Sequence, residues 1–97
     1  MIKNYNGEDL EKLEGLYLID FYADWCGPCK MMSPILEQLK DINIIKINVD
    51  ENEELAKKYK VMSIPNMFLL KDGKVEKQLI GFHSKEDLEQ EINNVKR

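Results

Sequence analysis

Four runs of apolar residues along the chain predict β-strands. Residues 16–23 form a nearly unbroken apolar and aromatic run, and residues 43–49 are rich in β-branched side chains. Runs of this kind are typical of buried strands in a sheet covered by helices on both faces. The other two runs, residues 66–71 and 74–80, flank Asp72-Gly73, a strong hairpin signal that predicts antiparallel pairing.

Segments with apolar residues at helical spacing separate these strands. We expect a short helix with Asn6 as its cap, a longer helix kinked at Pro34, a third helix, and a last helix entered through a capping box. They lie at residues 6–15, 26 to about 40, 50 onward and 84 onward. With a possible short strand at residues 2–5, the order becomes β-α-β-α-β-α-β-β-α. This order predicts an α/β fold with a central mixed β-sheet flanked by helices.

The length and composition narrow the possible classes of protein. The chain has 97 residues, of which 43% are hydrophobic and 33% charged, as in a globular protein with a single domain at 1–97. A formal charge of −4 with interleaved signs leaves no basic stripe for nucleic acid. No apolar run approaches the roughly 18 residues of a membrane span, and the N-terminus does not read as a secretory signal. We therefore expect no membrane contact and a cytoplasmic location.

Both cysteines lie in Trp25-Cys26-Gly27-Pro28-Cys29-Lys30. At the start of a helix, two residues at this spacing share one face, roughly 5–6 Å apart at Cβ, within reach of a disulfide. A bridge that closes so short a loop stabilises little, which favours reversible redox chemistry. The alternative is half of a zinc site, but such a site needs four ligands and His83 is the only histidine.

A set of short motifs follows in order along the chain: Asp20-Phe21-Tyr22-Ala23-Asp24-Trp25-Cys26-Gly27-Pro28-Cys29-Lys30, Pro34-Ile35-Leu36, Lys46-Ile47-Asn48-Val49-Asp50, Ser63-Ile64-Pro65, Asp72-Gly73 and Gly81. With these motifs in this order and at these separations, the sequence resembles the thioredoxin family over essentially its whole length. The resemblance implies the thioredoxin fold and an electron carrier that reduces protein disulfides. The implied partners are a thioredoxin reductase and client proteins with disulfides. A monomer is expected, with no bound cofactor and no metal.

The two cysteines are expected to have different roles. Cys26 would lie at the N-terminal edge of a helix, where free N–H groups favour its thiolate, so it would attack the substrate disulfide. Cys29 should be more buried and less reactive, and would displace Cys26 from the mixed disulfide. The resemblance links Gly27-Pro28 to reducing rather than oxidising members of the family, although Pro28 could simply begin the helix.

Two charged residues within apolar strands complete the expected catalytic set. The resemblance implies that Asp20 is a buried acid behind Cys29, and we expect it to help deprotonate that thiol through a water molecule, with its pKa raised by desolvation. The alternative is an exposed aspartate on an edge strand. Lys46 corresponds to a lysine near this acid in the family, and a solvated strand lysine is the competing interpretation.

The resemblance also implies a substrate-binding surface. Ile64-Pro65 corresponds to a loop with a cis peptide bond, where the backbone of Ile64 pairs with an extended substrate. An apolar platform is expected around the exposed sulfur. It comprises Trp25, Gly27, Pro28, Ile64, Pro65, Gly81 and Phe82. Trp25 could instead be a core aromatic, and we expect packing roles for Met31, Met32, Met62 and Met67.

Two other functions are compatible with these residues. The same platform could serve a docking subunit in which the cysteines are incidental. A glutaredoxin-like protein that draws on glutathione is the other alternative, although Trp25 and the Gly27-Pro28 dipeptide argue against it.

Overall fold

A five-stranded mixed β-sheet organises the chain in this computed structural model, which describes residues 1–97. The strands are β1 (Ile2–Asn4), β2 (Leu16–Tyr22), β3 (Asn43–Asn48), β4 (Asn66–Lys71) and β5 (Lys74–Ile80). Their spatial order is β1-β3-β2-β4-β5. The first three strands run parallel to one another, while β4 is antiparallel to both β2 and β5. The predicted hairpin is confirmed, and β2 lies at the centre of the sheet.

Three α-helices cover the two faces of the sheet: α1 (Gly27–Gln38), α2 (Glu53–Lys58) and α3 (Lys85–Lys96). One face of the sheet packs against α1 and α3 through Met32, Leu36, Leu88 and Ile92. The opposite face carries Ala56 of α2 and the aromatic rings of Phe21, Tyr59 and Phe68, whose centroids lie 5.4–5.8 Å apart. The predicted mixed sheet flanked by helices is therefore confirmed. None of the helices is both long and apolar enough to cross a bilayer.

The first predicted helix is wrong in extent and in its cap. Residues 6–15 contain only a 3₁₀ turn at Leu10–Lys12, capped by Asp9, whose side chain accepts a hydrogen bond from the N–H of Glu11 at 3.1 Å. The Asn6 N–H instead donates to the Glu8 carboxylate at 2.8 Å. These local side-chain bonds to the backbone compete with helical hydrogen bonds, which explains the truncation.

The register of the central strands places two polar residues side by side beneath α1. Asp20 on β2 pairs with Lys46 on β3, and both follow residues of the α1-facing core, Leu18 and Ile44, at the two-residue period of a strand. The carboxyl end of β2 leads through Ala23 into the cysteine segment. The sheet therefore delivers a carboxyl group and an ammonium group to the region just below the start of α1.

Candidate redox site

The cysteine segment forms the N-terminal turn of α1. Cys26 is the N-cap residue, and its sulfur accepts a hydrogen bond from the N–H of Cys29 at 3.2 Å. Its carbonyl accepts a second bond, from the N–H of Lys30 at 3.2 Å. Pro28 lies in the first turn, where a missing N–H costs nothing because that donor has no helical partner. The local sequence thus directs a backbone donor at the sulfur of Cys26.

A disulfide bond joins Cys26 to Cys29, with their Cα atoms 5.2 Å apart. The two sulfurs pack with Ala23 in a small buried cluster that Tyr22, Val49 and Ile64 cover. No group of three or more His, Cys, Asp or Glu side chains is arranged to hold a metal ion. The geometry can therefore support dithiol–disulfide exchange with little movement of the backbone.

The expectation that Cys29 is more buried than Cys26 is wrong for the disulfide form. The residues are 5% and 4% exposed, respectively, so burial does not distinguish them. The reason is the position of Cys26 as the N-cap: its side chain turns back toward the N–H of Cys29 and away from solvent. In the disulfide form, burial therefore gives no reason for the two cysteines to differ in reactivity.

Asp20 is buried in the central strand, as expected. It is 1% exposed, and its Oδ1 has no hydrogen-bond partner among the protein groups. Burial raises the pKa of Asp20 from its ordinary value of 3.8 to about 6, and the nearby Lys46 ammonium opposes part of that rise. The alternative of an exposed edge-strand aspartate is excluded, because Asp20 lies on the central strand.

Lys46 is half-buried between β3 and α1. Its Nζ donates to Ser33 Oγ at 3.1 Å and lies 4.8 Å from the centre of the Tyr22 ring. It lines a cleft of about 390 Å³ that reaches Cys29. The full lining is Tyr22, Ala23, Asp24, Cys29, Lys30, Ser33 and Lys46. The interpretation of Lys46 as a freely solvated lysine does not fit these contacts.

The loop before β4 lies against the disulfide. The Ile64–Pro65 peptide bond is cis, as the resemblance implied. Ile64 packs on the cysteine cluster, and the carbonyl of Pro65 accepts a hydrogen bond from the N–H of Gly81 at 2.8 Å. Pro65 itself is buried, whereas Gly81 is half-buried. The structure therefore brings Ile64 against the cysteine cluster and joins the next residue, Pro65, to Gly81.

The remaining platform residues are exposed. Trp25 is 70% exposed, and its indole N–H donates to Asp50 Oδ2 at 2.9 Å, which excludes a core position. Gly27 and Pro28 are also exposed, and Phe82 is 46% exposed in the turn after β5. The sequence reasoning missed Asp50, because no local pattern links it to a tryptophan 25 residues earlier.

Two of the four methionines assigned to packing are in fact exposed. Met32 and Met67 lie in the core, but Met31 is 60% exposed and Met62 is 91% exposed. Met31 lies on the solvent side of α1, and Met62 precedes the proline loop. The unbranched apolar side chain of methionine does not by itself indicate burial. Met31 and Met62 therefore place apolar side chains at the surface where the sequence predicted packing.

A mixed sheet of this order, with a disulfide at the start of a helix and a buried carboxyl beneath it, defines a thiol-disulfide oxidoreductase. The thioredoxin family model matches residues 2–94. The chain is 51% identical to a thioredoxin of Bacillus subtilis over 86% of its length and 85% of that protein. It is 43% identical to a thioredoxin of Chlamydia pneumoniae, covering 96% of this chain and 97% of the other. This chain belongs to the thioredoxin family.

Solved structures agree with that assignment. A single-site mutant of a thioredoxin from Halobacterium salinarum superposes with a TM-score of 0.88 at 34% identity, covering 96% of this chain and 88% of the other. Mitochondrial thioredoxin 3 from Saccharomyces cerevisiae, in its oxidised form, gives a TM-score of 0.78 at 39% identity. That comparison covers 88% of this chain and 83% of the yeast protein. The fold is therefore that of a thioredoxin.

Proposed function

We propose that this protein reduces disulfides in client proteins and is returned to its dithiol form by a thioredoxin reductase. The observation that carries this proposal is the position of Cys26 at the N-cap of α1, where its sulfur accepts the N–H of Cys29. In the reduced protein the same N–H and the positive end of the helix would stabilise a thiolate on Cys26. A thiolate is the form that attacks a disulfide.

The first step transfers the bond from the client to the protein. The Cys26 thiolate attacks one sulfur of the client disulfide, a new S–S bond forms between them, and the other client sulfur leaves as a thiolate. The exposed Trp25, Gly27, Pro28 and Phe82 would contact the client around this bond. Ile64, which packs on the cysteine cluster, would contact the client together with Pro65 and Gly81. The backbone of Ile64 would pair with an extended client segment, as an added strand does.

The second step releases the reduced client. Asp20, with a pKa of about 6, removes the proton of Cys29 through a water molecule and acts as a base of useful strength near neutral pH. The Cys29 thiolate then attacks Cys26, the intramolecular disulfide forms, and the second client sulfur leaves as a thiolate. Two electrons have passed from this protein to the client. Lys46 acts on this step through its charge, which opposes the rise in the pKa of Asp20.

We also propose the partner, the oligomeric state and the location of this protein. Two electrons from a thioredoxin reductase restore the dithiol, and the chain acts as a monomer with a single domain. A protein that works as a dithiol requires a reducing compartment, which favours the cytoplasm. The net charge of −4 offers no surface to nucleic acid.

Insulin reduction by dithiothreitol tests the central claim. We expect the wild-type protein to accelerate the reaction and Cys26→Ser to abolish the acceleration. Cys29→Ser should instead accumulate mixed disulfides with insulin, because it can attack but not resolve. If the wild-type protein gave no acceleration, or if Cys26→Ser and Cys29→Ser both left the rate unchanged, the proposed reductase function would be wrong.

A second assay tests whether a thioredoxin reductase reduces the oxidised protein. The oxidised protein is offered in turn to an NADPH-dependent and a ferredoxin-dependent thioredoxin reductase, and its free thiols are counted. We expect two thiols per chain with one of the two enzymes. Failure with both would contradict reductase recharging and leave the chemistry of the insulin assay standing.

A further inference from the structure

Opposite charges lie next to each other in this structure without forming an ion pair. Asp20 and Lys46 are register partners on adjacent strands, and Lys46 is the one charge that opposes the raised pKa of Asp20. All four ion pairs of the protein lie elsewhere on the surface. The carboxyl oxygen Oδ1 has no partner, while the Lys46 ammonium donates to Ser33. The two charges attract each other, so the contacts that Lys46 makes elsewhere compete with a direct pair.

Ser33 is placed to hold the ammonium. It lies four residues after Cys29 on α1, one helical turn further along the same face, and lines the same cleft. Its hydroxyl oxygen accepts a hydrogen bond from Lys46 Nζ at 3.1 Å. The ring of Tyr22 lies 4.8 Å from the same nitrogen and offers its negative face to the cation. The hydroxyl and the ring together fix the ammonium between β3 and α1.

We propose that Ser33 is a positioning residue, whose hydroxyl anchors the Lys46 ammonium on α1 and prevents it from pairing directly with Asp20. The anchor leaves the Asp20 carboxyl free to exchange a proton with Cys29. That consequence rests on the proposed function, whereas the anchoring itself does not. Ser33 neither touches the sulfurs in this structure nor takes part in the bond exchange, and it acts through Lys46.

The groups around Asp20 show why its protonation depends on the position of Lys46. Lys46 faces Asp20 from β3 and Tyr22 lies two residues further along its own strand, while Cys29, Asp24 and Lys30 line the cleft that Lys46 reaches. Glu51 acts on Tyr22 from the loop before α2. On the other side, β4 presents Met67, which is apolar. A neighbouring residue can therefore change the protonation of Asp20 by changing the distance between Lys46 and Asp20.

Titration of Asp20 in Ser33→Ala tests the anchor directly. The carboxyl ¹³C chemical shift of Asp20 is followed against pH in the full-length oxidised protein, with Ser33→Thr as the matched control that keeps a hydroxyl. Loss of the hydroxyl frees the lysine to pair with Asp20, so the titration midpoint of Asp20 should fall. We expect a fall of about one pH unit, the smallest effect that an adjacent opposite charge usually has on a carboxyl group. Ser33→Thr should titrate like the wild type. An unchanged or higher midpoint in Ser33→Ala would overturn the proposal.

A double-mutant cycle shows whether Ser33 acts through Lys46. Lys46→Met should raise the midpoint, because it removes the attraction of the ammonium for the carboxylate. In that background Ser33→Ala should cause no further change, since the hydroxyl no longer has an ammonium to hold. A shift of the same size with or without the lysine would mean that Ser33 acts on Asp20 by packing alone, and the proposal would be wrong.

The pH dependence of mixed-disulfide resolution tests whether the anchor affects catalysis. A mixed disulfide on Cys26 is prepared, and the rate at which Cys29 resolves it is measured against pH. In Ser33→Ala the acidic limb of this profile should move down in pH together with the titration of Asp20. A titration that shifts while the profile stays fixed would support the anchor and contradict the proposed role of Asp20 as the base.

Discussion

Replacing Asp20 with asparagine should remove a loss of stability that the wild-type protein undergoes as the pH rises. The substitution keeps the size of the side chain and removes its charge. Asp20 is 1% exposed, and burial raises its pKa to about 6. Between its ordinary value of 3.8 and about 6 the folded state binds more protons than the unfolded state. The contribution of this group to stability is therefore present below pH 3.8 and is lost as the pH rises through about 6.

The size of this loss of stability follows from the ordinary pKa of 3.8 and the raised pKa of about 6. Each pH unit between them corresponds to about 1.36 kcal/mol, so the free energy of unfolding should fall by about 3 kcal/mol across this window because of Asp20 alone. Solvent does not screen the effect, because the carboxyl is buried. Relative to wild type, Asp20→Asn should gain about 3 kcal/mol between about pH 3.5 and pH 8. A constant cost of burying the amide adds equally at both pH values and cancels.

Urea unfolding of the oxidised wild type and variant, at a series of pH values, measures this difference. With m values of about 1–3 kcal/mol/M, a gain of about 3 kcal/mol moves the midpoint by at least about 1 M. Asp24→Asn, on the exposed loop after β2, is the matched control and should show no comparable dependence. The reasoning would be refuted if the free energy of unfolding of Asp20→Asn, minus that of the wild type, were the same at every pH or increased toward low pH.

Three further substitutions test contacts away from Asp20. Gly73→Ala should lower the free energy of unfolding by more than about 2 kcal/mol, because its φ of +80° is strained for alanine and the new Cβ would overlap the backbone of Glu11. Gly15→Ala has a similar φ of +90° but open space around it, so urea unfolding should show a loss of only about 1 kcal/mol, and equal losses at both positions would contradict the overlap. Asp50→Ala should change stability by less than about 1 kcal/mol, since its bond to the Trp25 indole is exposed. The same variant should raise KM for insulin more than it lowers kcat, and an unchanged KM would exclude a role for that bond in client binding.

The sequence was sufficient to predict most elements of this fold. Strand ends at 66–71 and 74–80 were predicted correctly, because Asp72-Gly73 sets a tight turn and both flanks favour extended backbone. The last helix was also predicted at its true start, since Ser84 accepts a hydrogen bond from the N–H of Asp87 as a cap does. The segment 6–15 failed because short polar side chains there bond locally to the backbone, a competition that periodicity does not detect.

The site could be predicted only where the information is local or family-wide. The cysteine pair and the burial of Asp20 follow from spacing and apolar flanks along one stretch of chain. The contact between Lys46 and Ser33 depends on the register of β3 against β2 and on the rotation of α1 above them, which no local pattern specifies. The equal burial of the two cysteine residues likewise depends on the turn that Cys26 makes as an N-cap.

Cys26 and Cys29 have different surroundings, which on the proposed mechanism separates the control of client attack from the control of client release. The sulfur of Cys26 accepts a backbone N–H at the start of α1, a contact that substitutions of other side chains leave in place. Cys29, by contrast, borders the cleft that Lys46 and Ser33 line, and Lys46 is the register partner of Asp20. On the proposed mechanism the attack is therefore favoured by the backbone, while resolution depends on side chains. Sequence changes in this cluster should alter how long a client stays attached much more than how fast it is captured.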